Sequence, residues 1–246
     1  MSRTIILAVG LIGLLCVMSN CFADVDASKS YAAALDALVS GNDQKAMACL
    51  DMAINAGLQG QELSDAHLEL YYLSHLQSDR QTIASYEAKC RNLSGFSPLN
   101  SGFLTLELRI VKDRKSEQAG DDDRELTAFI ERFRVQTGQP FPRSATLEKM
   151  GGCDLSRFIT KMGVRRAGTV ERYLYVNLNK EGKAIFNQFS KRNPIKPLVV
   201  IVNGKIARCD WAGDETTSGE MGVATSIMRP EMIRAYVLLK MALRNK

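Results

Sequence analysis

The chain has 246 residues, 46% hydrophobic and 24% charged, with a formal net charge of +5. That composition fits one large folded domain or two small ones and excludes a disordered or collagen-like chain. Charges of both signs are spread along its length, without the basic stripe and interleaved aromatics of a nucleic-acid binder; the clusters "GVRRAG" and "SKRNPIK" read as solvated faces.

The N-terminus, "MSRTIILAVGLIGLLCVMSNCFA", has a basic start at Arg3, an apolar run over 5–18 and the ending Cys21-Phe22-Ala23. That is the three-part layout of a secretory signal peptide, with cleavage after Ala23. The run is shorter than the ~20 residues of a spanning helix. The expected product is a periplasmic or secreted chain from Asp24 with no transmembrane segment after the leader. An uncleaved anchor and a lipid anchor on Cys21 or Cys16 are the alternatives; Asn20 and Leu15 before those cysteines are not small.

Residues 24–95 read as an all-α region. Apolar and small residues dominate, and "SGND", "GLQGQ" and "QSDR" break the pattern into helical hairpins. Leu35 and Leu38 face one side of the first helix; Ala46, Leu50 and Ala53 line the second. Asp43 aligns with Asp79, an offset of 36 residues, near the length of a tetratricopeptide or Sel1-like repeat. Tyr71, Tyr72 and Tyr86 are candidates for a partner-binding groove, with a packing seam as the other reading. His67 and His75 stand two turns apart, too far for one metal.

The turn-rich segment 92–102 is the expected boundary to an α+β domain over 101–246. "FLTLELRIV" alternates as a strand. The acidic run at 121–123 starts a helix whose apolar stripe is Leu126, Phe129, Ile130 and Phe133, with Asp122 and Glu125 as a capping box. "RSATLEKMGG" and "DLSRFITKMG" are predicted as short helices, the second with Leu155, Phe158, Ile159 and Met162 on one face. Then come a strand in "ERYLYVNLN", a helix capped by Asn179, a strand in "PLVVIV", an Asn203-Gly204 hairpin turn, a returning strand in "KIARCDW", a third strand of the same hairpin region in "MGVATSIM", and a last helix opened by Pro230. The sheet is expected to be small and mainly antiparallel. Trp211 is either core packing or an exposed binding anchor.

Cys49, Cys90, Cys153 and Cys209 remain after the leader. In an oxidising compartment they are expected to pair as Cys49–Cys90 and Cys153–Cys209, each bridge within one region, with buried free thiols as the other reading. There is no Cys-x-x-Cys, nucleophile elbow, zinc-protease helix or phosphate loop, so no enzyme class and no cofactor is indicated. Asp210, Asp214 and Glu215 read as solvated acids rather than a cation site.

The C-terminal block resembles the head subdomain of the first periplasmic domain of SecD, a membrane subunit that assists protein export. "YLYVNLNKEGKAIFNQFS" is similar to that family's strand and following T-x-E-G-A-x-x-F, with Asn179, Glu181, Gly182 and Phe186 in place. "LVVIVNGKIARCDW" resembles "LAIVLDGKVVSAPVI" through Gly204-Lys205. "GVATSIMRPEMIRAYVLLKMAL" resembles "ISGSFTLEEARDLANLL" through Glu231 and Ala235, and "LTLELRIV" resembles "LEFRLV". The likeness covers about 101–246 and is densest over 171–244. The family's several transmembrane helices have no counterpart, Cys209-Asp210-Trp211 replaces its Ala-Pro run, and "TSGEMG" shortens its glycine-rich stretch. The resemblance implies a periplasmic module, and the motor function does not carry over with it. The expected function is a non-catalytic protein that binds an exported polypeptide or an envelope protein, with Asn203, Gly204, Lys205 and Trp211 on a hairpin edge open to strand addition. A structural subunit of an envelope complex, or an enzyme of unrecognised type, are the other readings.

Overall fold

The computed structural model describes residues 26–77, 79–99, 104–113, 121–142, 145–148, 152–213 and 218–245. The expected leader, the Asp122 side chain of the expected capping box and the acids Asp214 and Glu215 lie outside what is described. Four helices come first: α1 (Ala27–Val39), α2 (Asp43–Asn55), α3 (Gly60–Ser74) and α4 (Arg80–Cys90). Short polar side chains begin three of them by accepting from orphan amides: Asp26 from Lys29, Asn42 from Lys45 and Asp79 from Gln81. Asp79 caps α4, whereas its aligned residue Asp43 is the first residue of α2, whose cap is Asn42. The expected apolar faces are buried: Leu35 and Leu38 on α1, and Ala46, Leu50 and Ala53 on α2.

The C-terminal half is α+β. Two antiparallel sheets are built from β1 (Leu106–Asp113), β2 (Ala145–Leu147), β3 (Cys153–Asp154), β4 (Ile159–Ala167), β5 (Glu171–Leu178), β6 (Pro197–Val202), β7 (Lys205–Trp211) and β8 (Glu220–Thr225). The first runs β2-β1-β6-β7, with β3 also on β1; the second runs β4-β5-β8. Three helices complete the half: α5 (Asp121–Thr137), α6 (Lys180–Arg192) and α7 (Arg229–Arg244).

Two expected helices are strands. Part of "RSATLEKMGG" is β2, paired with β1 through Val111 and Leu147. "DLSRFITKMG" is a 3₁₀ turn (Ser156–Phe158) running into β4, which pairs with β5 from Ile159 to Ala167. Leu155, Phe158 and Ile159 are buried as expected, but by a turn and a strand start rather than by a helical face. A ladder along the whole of β4 outweighs a weak local helical preference. The third correction concerns β8. It pairs with β5 in the second sheet and does not extend the β6–β7 hairpin.

The alternation of β6 divides the interior. Leu198, Val200 and Val202 join Leu106, Leu108 and Ile110 in the main core, while Val199 and Ile201 face a second core under α5. There Leu126, Phe129, Ile130 and Phe133 form the expected stripe. The main core continues through α7 into the N-terminal helices. Every residue of α7 from Met232 to Leu239 is buried, which is the signature of a helix surrounded by protein on all sides.

Polar contacts join the same parts. Arg229 grips Glu69 of α3 with both nitrogens, at 2.7 and 2.9 Å, and donates to the Tyr31 carbonyl at 2.9 Å. Its guanidinium also stacks 3.5 Å from the centre of the Tyr31 ring. Tyr31 Oη donates to Glu69 at 3.1 Å. Asp36 of α1 accepts from Arg172 at 2.9 Å and pairs with Arg166 at 3.3 Å. Asp43 accepts from Tyr236 and Lys240 at 2.7 and 2.6 Å.

Glu69 is fully buried, so removing one partner strands the other charge in the core. Glu69→Ala is expected to destabilise by about 3–5 kcal/mol in urea unfolding. The double variant Glu69→Met/Arg229→Met is expected to cost clearly less than the two single changes summed. Additive losses would show that the pair is not coupled.

Candidate interaction surface

The structure does not gather the residues singled out in the sequence onto one surface. Tyr71 and Tyr72 are core residues, 2% and 1% exposed, with ring centres 5.3 Å apart. Tyr71 Oη accepts from the Leu99 amide at 3.1 Å, and its ring meets Phe96 at 5.2 Å. The pair therefore fastens the segment after α4 onto α3 and does not face a groove. Burial pushes the Tyr72 phenol up to about 12. Tyr86 is half-buried and donates to Asp51 at 3.2 Å, joining α4 to α2.

The Asn203-Gly204 turn forms as expected, with φ of 48° and 72°. It is tied down rather than free. Asn203 Oδ1 accepts from the Thr105 amide at 2.8 Å, and its own amide donates to the Thr105 carbonyl at 3.0 Å. From below, the buried Arg234 donates to the Val202 carbonyl at 3.0 Å. Lys205 is held by Glu125 of α5 at 2.9 Å. Trp211 packs on Phe141 at 5.3 Å, at the margin of the core under α5.

The expected disulfides are not formed: all four cysteines are buried free thiols. Cys153 belongs to the main core and Cys209 to the core beneath α5, so the first sheet separates them. Cys90 Sγ instead donates to the His67 carbonyl at 3.2 Å. Burial pushes the Cys90 and Cys153 thiols up to about 11 and Cys209 up to about 12. Among the described residues no group of three or more His, Cys, Asp or Glu is placed to hold a metal. Burial also lowers the pKa of His67 and His75, which favours their neutral form.

A different surface stands out on the second sheet. Lys161, Gly163 and Arg165 of β4 lie opposite Asn177, Tyr175 and Tyr173 of β5. The Tyr175 ring lies flat across Gly163, where a Cβ would come within 2.7 Å of its hydroxyl. The Arg165 guanidinium stacks 4.2 Å from the centre of that ring and pairs with Glu220 of β8 at 2.9 Å. The Tyr173 ring stands 6.2 Å from Tyr175. This face is a ladder of aromatic rings and charges set by the pleat.

The edges of the sheets differ. β8 meets β7, and Arg208 reaches over Gly222, where a Cβ would lie 2.1 Å from its guanidinium. That contact shields both strands. Among the described residues β4 makes a ladder only with β5, so alternate backbone groups over 160–167 line the opposite edge. Thr160, Lys161, Arg165 and Arg166 along it are exposed. The sequence reading missed this strand by taking its first half for a helix and "GVRRAG" for a solvated cluster. The available signal was the turn at Gly168, in positive φ, between two stretches of β-forming residues.

No family profile matches the chain, and no curated protein matches it. Solved structures of SecDF are similar to it. One, a crystal structure of SecDF in a super-membrane-facing form, is 13% identical with a TM-score of 0.37; the match covers 66% of this chain and 21% of that one. Another, of SecDF as a membrane component that enhances protein export, is 10% identical with a TM-score of 0.40, covering 76% of this chain and 90% of that one. The chain thus spans about a fifth of the length of the first SecDF structure. Among the described residues no helix is long and apolar enough to cross a membrane.

Iodoacetamide at pH 8 is expected to leave Cys49, Cys90, Cys153 and Cys209 unmodified in the native protein. In urea without reductant, mass spectrometry should find all four labelled. Failure to label a pair until reductant is added would restore the disulfide.

Proposed function

We propose that the chain is a non-catalytic binding protein of the cell envelope. It takes an extended segment of another polypeptide as an added strand on the open edge of β4. The observation that carries this is the edge over 160–167, exposed at Thr160, Lys161, Arg165 and Arg166, where Arg165 lies over the buried Tyr175 ring. Strand addition draws affinity from main-chain hydrogen bonds and selectivity from alternate side chains. Here every second side chain of the added strand meets the cationic outer face of Lys161 and Arg165. Natural edges carry charges that discourage pairing between identical copies, and Lys161, Arg165 and Arg166 serve that purpose without blocking a foreign strand. The leader-like N-terminus and the resemblance to the SecD head support an exported polypeptide or an envelope protein as the partner.

The test is photo-crosslinking in intact envelopes. A probe at Lys161 is expected to capture polypeptide, and one at the buried Tyr72 to capture none. Capture at Lys161 should fall about tenfold or more when an excess of an extended competitor peptide is added, and be unaffected by the same peptide with N-methylated amides. Many captured chains would indicate a general polypeptide binder, and a single one a dedicated assembly partner. No capture at Lys161 would overturn the edge as the binding site.

A further inference from the structure

Four large apolar residues are exposed among the described residues: Met52, Val135, Val170 and Ile195. Only Ile195 combines that exposure, 82%, with a positive φ, 57°. A β-branched side chain in that region is a genuine outlier. Asn or Gly would sit there with less strain and without exposing a hydrocarbon side chain to water.

The conformation is held in place from both sides. The Ile195 amide donates to the Ala212 carbonyl at 3.1 Å, and the Ala212 amide donates to the Lys196 carbonyl at 2.8 Å. Lys196 closes back on Asn193, its amide donating to the Asn193 carbonyl at 3.3 Å. Pro194 and Pro197 stiffen the approach and the exit by fixing their own φ. The result is a rigid tip, Pro194-Ile195, projecting between α6 and β6. Around it stand Lys191 and Arg192 in the last turn of α6, and Lys196, all exposed. Asp214 and Glu215, which follow Ala212 and Gly213, lie outside the described residues.

From this geometry we infer that the 191–196 tip is a contact point for an anionic lipid surface. Ile195 enters the boundary between headgroups and acyl chains, and Arg192 and Lys196 face the lipid phosphates. One aliphatic side chain with a few cations gives weak, reversible attachment, since firm anchoring needs a larger apolar insertion or a second signal. Because the tip is already rigid, little conformational freedom is lost on contact. The tip uses no residue of the β4 edge, so the two readings stand or fall separately.

The experiment is co-sedimentation of the purified chain with vesicles of phosphatidylglycerol and phosphatidylcholine at low salt, with pure phosphatidylcholine as the comparison. All variants are processed identically, so any contribution of the apolar run at 5–18 cancels. Binding to the anionic vesicles is expected to weaken about tenfold in Ile195→Gly. It should weaken about fivefold for each charge removed in Arg192→Gln and Lys196→Gln, and fade with added salt. Glycine takes positive φ without strain, so Ile195→Gly should keep or raise the melting temperature while it loses lipid. Equal binding to both vesicle types, or undiminished binding by Ile195→Gly, would overturn the inference. So would capture of a protein through Ile195 with no attachment to lipid.

Discussion

Everything in this protein is arranged around α7. Eight successive residues, Met232 to Leu239, are buried, so the middle of the helix has no solvent face. Burial of each large aliphatic side chain there contributes roughly 1.5–3 kcal/mol, and the surrounding elements must come from both halves of the chain to supply it. The α3 helix covers one side, and strands of both sheets cover the rest. The main core is therefore continuous across the expected domain boundary. Each half would expose a broad apolar surface without the other, which couples their stability.

Apolar contact alone does not choose an orientation, because hydrophobic packing is non-directional. The polar contacts supply direction. Acids on the N-terminal helices (Asp36, Asp43 and Glu69) meet basic groups from β4, β5 and α7. The Glu69–Arg229 pair is the most demanding of them. It is buried, bidentate and braced by Tyr31, so only one placement of α3 against the start of α7 satisfies it. Burial favours a neutral Glu69 and Arg229 opposes that, so the contact adds specificity more than strength.

The same economy explains which surfaces are left. The hairpin turn is consumed by Thr105, Arg234 and Glu125, and the β7 and β8 edges shield one another. Tyr71 and Tyr72 are spent on holding down the segment after α4. Among the described residues, the far edge of the second sheet stays open, as does a stiff tip beside α6 whose backbone conformation runs against its side chain. The first is ordinary backbone left without a neighbour; the second is a local conflict maintained by its surroundings. Local conflicts of that kind concentrate at sites of function.

Much of the fold was legible in the sequence. Periodicity alone located the four N-terminal helices, the stripe Leu126, Phe129, Ile130 and Phe133, the alternation of β1 and β5, and the Asn-Gly turn, because in each the pattern of apolar residues matches the repeat of the element. The α+β class followed from their order. Long-range pairing was not legible. β2 and β4 are strands because β1 and β5 lie beside them, and a strand's hydrogen bonds are made with residues far away in the chain. The partner of β8 was misjudged for the same reason, and the choice between a groove and a packing seam for Tyr71 and Tyr72 was left to the fold, because their aromatic character suits both. Cysteine count suggested bridges, but only the fold put Cys153 and Cys209 on opposite faces of one sheet. Local sequence determined which elements form and which faces are apolar; tertiary structure decided which edge and which tip were left for a partner, because exposure is a property of neighbours that the chain brings together only on folding.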